Sequence, residues 1–190
     1  MQLQVWYWYL GCRWQKKEVK EMEISILDWI QSIRTPIGDI IIPFITKLGD
    51  AGMVWISLSV VLLLIPKTRK SGAVLAAALC MNVILCNGIL KNLFGRLRPC
   101  DVNVSIQLLI ARPNDFSFPS GHTAASFAAV AALMFAGEKK LWKPALVLAV
   151  FIAFSRLYLY VHYPTDILGG IAVGVFAGYA GYRMVNKSRK

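Results

Sequence analysis

At 190 residues the chain is long enough for one domain, but with 57% hydrophobic residues, 16% charged residues and a mean hydropathy of +0.55 it is too apolar for an ordinary soluble one, where about 25% of residues are charged. Its apolar residues fall into long runs, which makes an integral membrane protein the expectation. The formal net charge of +11 raises nucleic-acid binding, yet no stretch has the pattern of a helix-turn-helix, a zinc finger or an aromatic-basic sheet surface, so no nucleic-acid partner is expected.

In chain order, residues 1–14 carry three tryptophans and two tyrosines with few aliphatics, the composition of a headgroup-layer segment. No basic region precedes Trp6-Tyr7-Trp8-Tyr9-Leu10, so this is no ordinary secretory signal. After a charge-balanced stretch from Arg13 to Glu23, Ile24, Leu27, Trp29 and Ile30 form an apolar side interrupted by Ser25, Asp28 and Gln31, as in an amphipathic helix lying in the interface. Pro36 can open a second helix over 37–48, and together the two could imitate one broken span.

Five spans are expected after that, over 50–66, 72–90, 120–136, 144–157 and 165–182. The expected fold class is all-α, a polytopic membrane helix bundle of five clear transmembrane helices plus an N-terminal interfacial or broken sixth helix. Residues 1–48 form the N-terminal segment, 49–185 the membrane-embedded domain and 186–190 a basic tail. In the last span Gly170, Gly174 and Gly178 recur every four residues, as do Gly169, Val173, Ala177 and Gly181. Such rows let a second helix approach closely. Cys12, Cys80, Cys86 and Cys100 make no metal motif. Cys80 and Cys86 are expected as buried small hydrophobes, and Cys100 on the outer side.

Threading five spans gathers Lys67, Arg69, Lys70, Lys139, Lys140, Lys143, Arg183, Lys187, Arg189 and Lys190 on one face, which the positive-inside rule makes cytoplasmic. Lys91, Arg96, Arg98, Arg112, His122, Arg156, His162 and Asp166 fall on the other. Basic groups there need another reason, such as an anionic substrate; contact with anionic membrane lipids accounts for part of the excess charge.

The outward residues suit phosphoryl transfer, which needs a nucleophile, charge stabilisation and a proton for the leaving oxygen. His162 is the candidate nucleophile or base, with Asp166 four residues on to fix its tautomer and support its charge. His122 is the candidate general acid. Ser120 and Gly121 open a helix whose free N–H groups can meet an anion, although Ser120 can equally be an N-cap alone. Lys91, Arg98 and Arg156 would hold the non-bridging oxygens; single cations at span ends usually snorkel, but three together point to an anion. Arg96 and Arg112 are either contacts to a second phosphate or the headgroup, or surface charge. Asp39, Asp50, Asp101 and Asp115 are given no catalytic role: Asp50 is expected to cap the first span and Asp115 to organise its loop.

The three local patterns read KNLFGRLRP, PSGH and SRLYLYVHYPTD. Together they closely resemble the type 2 phosphatidic acid phosphatase (lipid phosphate phosphatase) superfamily, with its Lys-x6-Arg-Pro, Pro-Ser-Gly-His and Ser-Arg-x5-His-x3-Asp motifs, an active site shared with vanadium haloperoxidases. No motif position departs from the pattern, and the resemblance runs from about residue 47 to 182. It implies Lys91, Arg98, Ser120, Gly121 and Arg156 as phosphate binders, His122 as acid, His162 as nucleophile and Asp166 as its partner. It also implies a phosphohistidine intermediate hydrolysed by water, with no metal or other cofactor. The sequence offers no carboxylate cluster for a metal. The small size and short loops resemble bacterial members acting on undecaprenyl diphosphate; phosphatidylglycerophosphate or phosphatidic acid is the alternative substrate. A catalytically silent lipid-binding or transport protein is the alternative of another class. The expected location is the bacterial plasma membrane, multi-pass, with the site outward, the C-terminus cytoplasmic, and no obligate protein partner.

Overall fold

A computed structural model describes residues 20–187; the aromatic segment 1–14 and the last basic residues lie outside them. Helix α1 covers residues 20–32 and buries Leu27 and Ile30, three apart on one side. Thr35 then starts α2, Pro36–Leu48: its backbone is extended, its Oγ1 accepts from Gly38 N at 3.1 Å, and Pro36 supplies a preset first turn. A tight turn, Asp50–Gly52, leads into α3, Met53–Leu64, which stops before Pro66. α4, Arg69–Asn82, continues through a π-helical stretch, Val83–Leu90, into α5, Lys91–Phe94. Gly95, at φ 54°, takes the left-handed conformation that ends this rod. α6, Pro99–Val102, begins at a proline, and α7, α8 and α9 follow at Gly121–Phe135, Trp142–Tyr158 and Pro164–Lys187.

α7 is the centre of the bundle, packed by α9, α8 and α4, while α3 lies along α4 and α2 along α8. Alanines at 124, 125, 128, 129, 131 and 132 leave α7 buried almost all round. The glycine row of α9 meets it: a methyl group at Gly174 would lie 2.4 Å from the Ala124 carbonyl oxygen, and one at Gly178 2.5 Å from the Ala131 methyl. Gly181 makes the same kind of approach to α4 at Ala78. Both expected rows are therefore contact surfaces.

The expected count of spans is not met. Among the described residues, two helical stretches, Arg69–Val102 and Pro164–Lys187, are long and apolar enough to cross a membrane. A third is reached only if α2 and the Asp50–Leu64 segment, bent by 43°, act as one. Five plus a sixth is thus corrected to two or three. α7 has 15 residues, roughly 22 Å of helix against about 30 Å of hydrocarbon. Its apolar side chains face protein rather than lipid, and a hydropathy pattern cannot tell these apart. α1 packs on the loop after α8 and shares one buried cluster with Ile42 of α2. The protein is nonetheless a multi-pass membrane protein.

The helix directions sort the charges to two ends. The α3–α4 and α7–α8 turns are joined by Ser71 Oγ donating to Glu138 Oε1 at 2.6 Å. This end carries Lys67, Arg69, Lys70, Lys139, Lys140 and Lys143, and α9 runs towards it. Lys91, His122, Arg156, His162 and Asp166 occupy the other ends of the same helices. Cys100 is buried against Tyr158–Tyr163, at the end that carries the candidate residues, and Cys80 is exposed rather than buried.

Candidate active site

Each of the eight candidate residues sits at a helix end or in a turn on this one end of the bundle. Lys91 opens α5, Arg98 precedes α6, Ser120 is the N-cap residue of α7, and Gly121 and His122 form its first turn. Arg156 ends α8, His162 lies in the connecting turn, and Asp166 is in the first turn of α9. Ser120 N donates to the Asp166 carbonyl at 3.1 Å, which ties the starts of α7 and α9 together.

Around His162 the contacts are dense. Arg98 Nη1 lies 3.0 Å from His162 Nε2 and donates to Val161 O at 2.8 Å. An arginine only donates, so this contact leaves the lone pair on Nε2 and the proton on Nδ1. Nδ1 faces Asp166 Oδ2 and Ser117 Oγ, each at 3.4 Å. Asp166 Oδ2 also accepts from Ser117 Oγ at 2.5 Å and Tyr163 N at 2.8 Å. Burial, and then the positive charges of Arg98, Arg156 and Lys91, hold the His162 imidazole well below its ordinary pKa, so the neutral ring is favoured.

The cations converge on the same place. Lys91 Nζ pairs with Asp115 Oδ2, and Arg98 reaches the same carboxylate from Nη2 at 2.6 Å. Burial would raise the Asp115 pKa, but Lys91 and Arg98 together hold it below the usual carboxylate range. Lys91 Nζ also lies 3.7 Å from where a methyl group on Gly121 would be, so the ammonium faces the start of α7. Arg156 Nη1 donates to Thr46 Oγ1 at 2.5 Å, while its buried Nε has no hydrogen-bond partner among the described residues. A buried donor with no acceptor suits an incoming anion. Ser120 Oγ accepts from Thr123 Oγ1 at 3.0 Å and makes no cap bond to the backbone, so it is an N-cap by position only.

His122 belongs to the other side of the site. Its Nε2 is 2.8 Å from Asp50 Oδ1, and it shares with Lys91 and Gly121 the head of a cavity of about 890 Å³ between α3 and α4. Below them the walls are apolar: Ile56, Val60 and Leu63 from α3, Leu79, Val83 and Ile84 from α4 and its continuation. A charged head and an apolar body in one cavity match an amphiphile.

The sequence profile of the PAP2 superfamily matches residues 52–190. The chain belongs to the PAP2 superfamily. It is similar to an undecaprenyl-diphosphatase of Sulfolobus acidocaldarius, 30% identical over 136 residues that cover 72% of this chain and 65% of that one. It is also similar to a lipid A 4'-phosphatase of Bacteroides thetaiotaomicron, 36% identical over 109 residues, 54% of this chain and 48% of that one. The match thus spans less than two thirds of either relative. Among solved structures, a transmembrane PAP2 type phosphatidylglycerolphosphate phosphatase from Bacillus subtilis superposes with a TM-score of 0.75 at 26% identity, over 91% of this chain and 88% of that one.

Four polar partners in this PAP2 site were not assigned there by the sequence. Asp50 contacts His122 instead of capping a helix. Thr46 holds Arg156, Ser117 bridges Asp166 and His162, and Asp115 occupies two of the cations. Ser117 and Asp115 stand just before the PSGH motif, the one signal that could have marked them. Arg112 pairs with Asp101 at 2.9 Å, while Arg96 turns inward to Asp166.

Proposed function

We propose that this protein hydrolyses a lipid phosphate or diphosphate at the outer face of the membrane through a phosphohistidine intermediate, with undecaprenyl diphosphate converted to undecaprenyl phosphate as the reading best supported. Neutral His162 Nε2 attacks the terminal phosphorus while Asp166 takes the hydrogen bond from Nδ1 and supports the positive charge formed there. The bond between phosphorus and the leaving oxygen breaks, and His122 protonates that oxygen. Lys91, Arg98, Arg156 and the first turn of α7 at Ser120 and Gly121 hold the three non-bridging oxygens. Water, activated by the now neutral His122, then attacks the phosphohistidine and releases inorganic phosphate. In this reading residues 49–185 supply the phosphatase, with 1–48 as an interfacial segment and 186–190 as a basic tail.

The observation that carries it is the placement of His162 Nε2 3.0 Å from Arg98, together with a cavity whose head holds Lys91 and His122 and whose body is apolar. A lipid can then keep its chain between α3 and α4 while its phosphate meets the cations. Outward placement is supported by the clustering of the basic turns at the opposite end, which the positive-inside rule assigns to the cytoplasm. A metal-independent route is supported by the donor set: among the described residues no three His, Cys, Asp or Glu side chains converge on a cation site. The likeness to an undecaprenyl-diphosphatase supports the diphosphate, and that to a phosphatidylglycerolphosphate phosphatase keeps phosphatidylglycerophosphate or phosphatidic acid as the second reading.

The test is phosphate release in detergent with EDTA present, comparing wild type, His162→Ala and His122→Ala. Activity is expected for wild type and loss for both variants; full activity in either overturns the assigned roles. A competition panel of C55 diphosphate, phosphatidylglycerophosphate and phosphatidic acid, ranked by kcat/KM, decides the substrate.

A further inference from the structure

Arg96 lies outside the three motifs, yet its side chain joins four other residues at this end of the molecule, Glu23, Tyr163, Thr165 and Asp166. Its Nη1 donates to Asp166 Oδ1 at 2.7 Å and to Thr165 Oγ1 at 2.6 Å, and its Nη2 to Glu23 Oε2 at 2.5 Å. The guanidinium carbon stands 3.9 Å from the centre of the Tyr163 ring. Glu23, on α1, is 4% exposed, and its other oxygen accepts from Thr165 N at 3.0 Å and Thr165 Oγ1 at 2.5 Å. It therefore caps the start of α9 from a different helix.

A buried carboxylate is retained only when its charge is matched, so Glu23 is there for Arg96 and the α9 amides. The consequence reaches His162. Facing Asp166 alone, Arg96 would draw the carboxylate's charge away from the ring. With Glu23 on its other nitrogen, Arg96 is balanced, and Asp166 keeps its charge for Nδ1. The rest of α1 holds the same turn: Asp28 Oδ1 accepts from Tyr160 Oη at 2.7 Å, Gln31 Nε2 donates to Tyr158 O at 2.8 Å, and Tyr160 is kept at a left-handed φ of 59°.

We propose that Glu23 and Arg96 are positioning residues for the reaction: with Asp166 they form a buried row of alternating charge that sets the orientation and proton affinity of His162, making α1, which precedes the PAP2-matched region, part of the active site. This rests on His162 being the nucleophile. The groups facing the ring are Arg98 from the turn after α5, Ser117 from the loop before α7, Asp166 from α9, Arg156 from α8, Lys91 from α5 and His122 from α7. None of these is altered by substituting Glu23 or Arg96, and Asp166 is the one among them that the Arg96 side chain touches.

The experiment uses the full chain in detergent and reads kcat, KM, the acid limb of the kcat profile and inhibition by vanadate, for Glu23→Gln, Arg96→Gln and the double variant. Removing the negative charge of Glu23 disfavours the imidazolium and moves the acid limb to lower pH. Removing the positive charge of Arg96 moves it to higher pH, and the double variant returns it towards wild type. kcat is expected to fall about tenfold in each single variant, as for other partners of a directly acting group, with KM and vanadate inhibition unchanged. Adding Glu23→Gln to Arg96→Gln should cost little more. Limb shifts in the same direction, parallel losses in vanadate binding, or losses that simply multiply would overturn the proposal, as would wild-type kcat in Glu23→Gln. If Glu23→Gln does not fold, the upward shift in Arg96→Gln alone decides. His162→Ala separates the two levels: activity in that variant overturns the nucleophile, whereas an inactive His162→Ala beside a wild-type Glu23→Gln overturns only the positioning role.

Discussion

Asp50 Oδ1 lies 2.8 Å from His122 Nε2, joining the turn before α3 to the first turn of α7. Burial and the Arg156 charge lower the His122 pKa to about 4, and the Asp50 carboxylate is the group that opposes them and favours the protonated imidazole, the form a general acid needs. His122 also lines the head of the apolar cavity, as do Gly49 and Ala51 on either side of Asp50.

Asp50→Asn should therefore slow the enzyme according to its leaving group. With phosphatidic acid, whose alkoxide must be protonated, kcat is expected to fall roughly 10²-fold, the low end for general acid catalysis. With p-nitrophenyl phosphate, whose leaving group needs no proton, the loss should be a few-fold at most. Equal losses on both substrates would remove His122 and Asp50 from proton delivery.

The pH profile follows from His162. Nucleophilic attack needs the neutral ring, and burial with Arg98, Arg156 and Lys91 nearby lowers its pKa well below 6.5. Protonation, and with it the loss of kcat/KM, should begin only well below that pH. Measured on a diphosphate substrate from pH 4 to 8 and corrected for substrate ionisation, a half-maximal acid limb at pH 6.5 or above would contradict a neutral, charge-surrounded His162.

Asp115 is expected to compete with the substrate. Its carboxylate pairs with Lys91 and Arg98, two of the cations assigned to the phosphate, and its side chain is half exposed and free to be displaced. Asp115→Asn is expected to tighten inhibition by vanadate or inorganic phosphate by a factor of roughly five or more, since about 1 kcal/mol is the upper end for an exposed pair and both cations here are buried. Weaker inhibition would mean that Asp115 orders the two cations instead of blocking them.

The residues legible in the sequence were those with local spacing. Lys91 and Arg98, Ser120 to His122, and Arg156 to Asp166 lie within short segments, and the structure brings them to one end of the bundle. The glycine rows were legible for the same reason: a four-residue repeat states which face of α9 must be close to a neighbour. Glu23, Thr46 and Asp50 carry no such mark. Each is one polar residue on an element of its own, and its partner lies far along the chain and is met only after packing. The span count failed for a different reason. α7 is as apolar as a membrane helix because it is buried by other helices, and composition does not record what surrounds a side chain.

The α7–α9 contact gives a stability prediction. A side chain at Gly174 would meet the Ala124 carbonyl oxygen at 2.4 Å and Ala128 N at 2.9 Å, both backbone atoms of a packed helix that cannot swing aside. Gly174→Val should lower the thermal unfolding midpoint in detergent by several degrees, with overpacking costing roughly 1–3 kcal/mol. Gly137, with φ of 83° and nothing within 4 Å of an added methyl, is the contrast: Gly137→Ala is strained by its backbone alone and should cost about 1 kcal/mol. An unfolding midpoint unchanged in Gly174→Val would mean that α9 can move away from α7, and the rigid support of Asp166 would go with it.

The cavity between α3 and α4 gives the prediction that bears most directly on the substrate. Val83 lines its apolar part and is more than half exposed, so a larger side chain can be added there without disturbing the packed interior. Val83→Trp narrows the passage while leaving Lys91, His122 and Asp115 in place. If the hydrocarbon chain lies in this cavity, KM for a C55 diphosphate should rise several-fold, whereas the kinetics of p-nitrophenyl phosphate, which has no chain, should be unchanged. A short-chain isoprenyl diphosphate should fall between them, because fewer buried methylenes depend on the groove, each worth about 0.8 kcal/mol. Equal effects on all three substrates would trace the change to the phosphate end. No effect on any of them would move the lipid chain to a different face of the bundle and leave the apolar cavity without a role in binding.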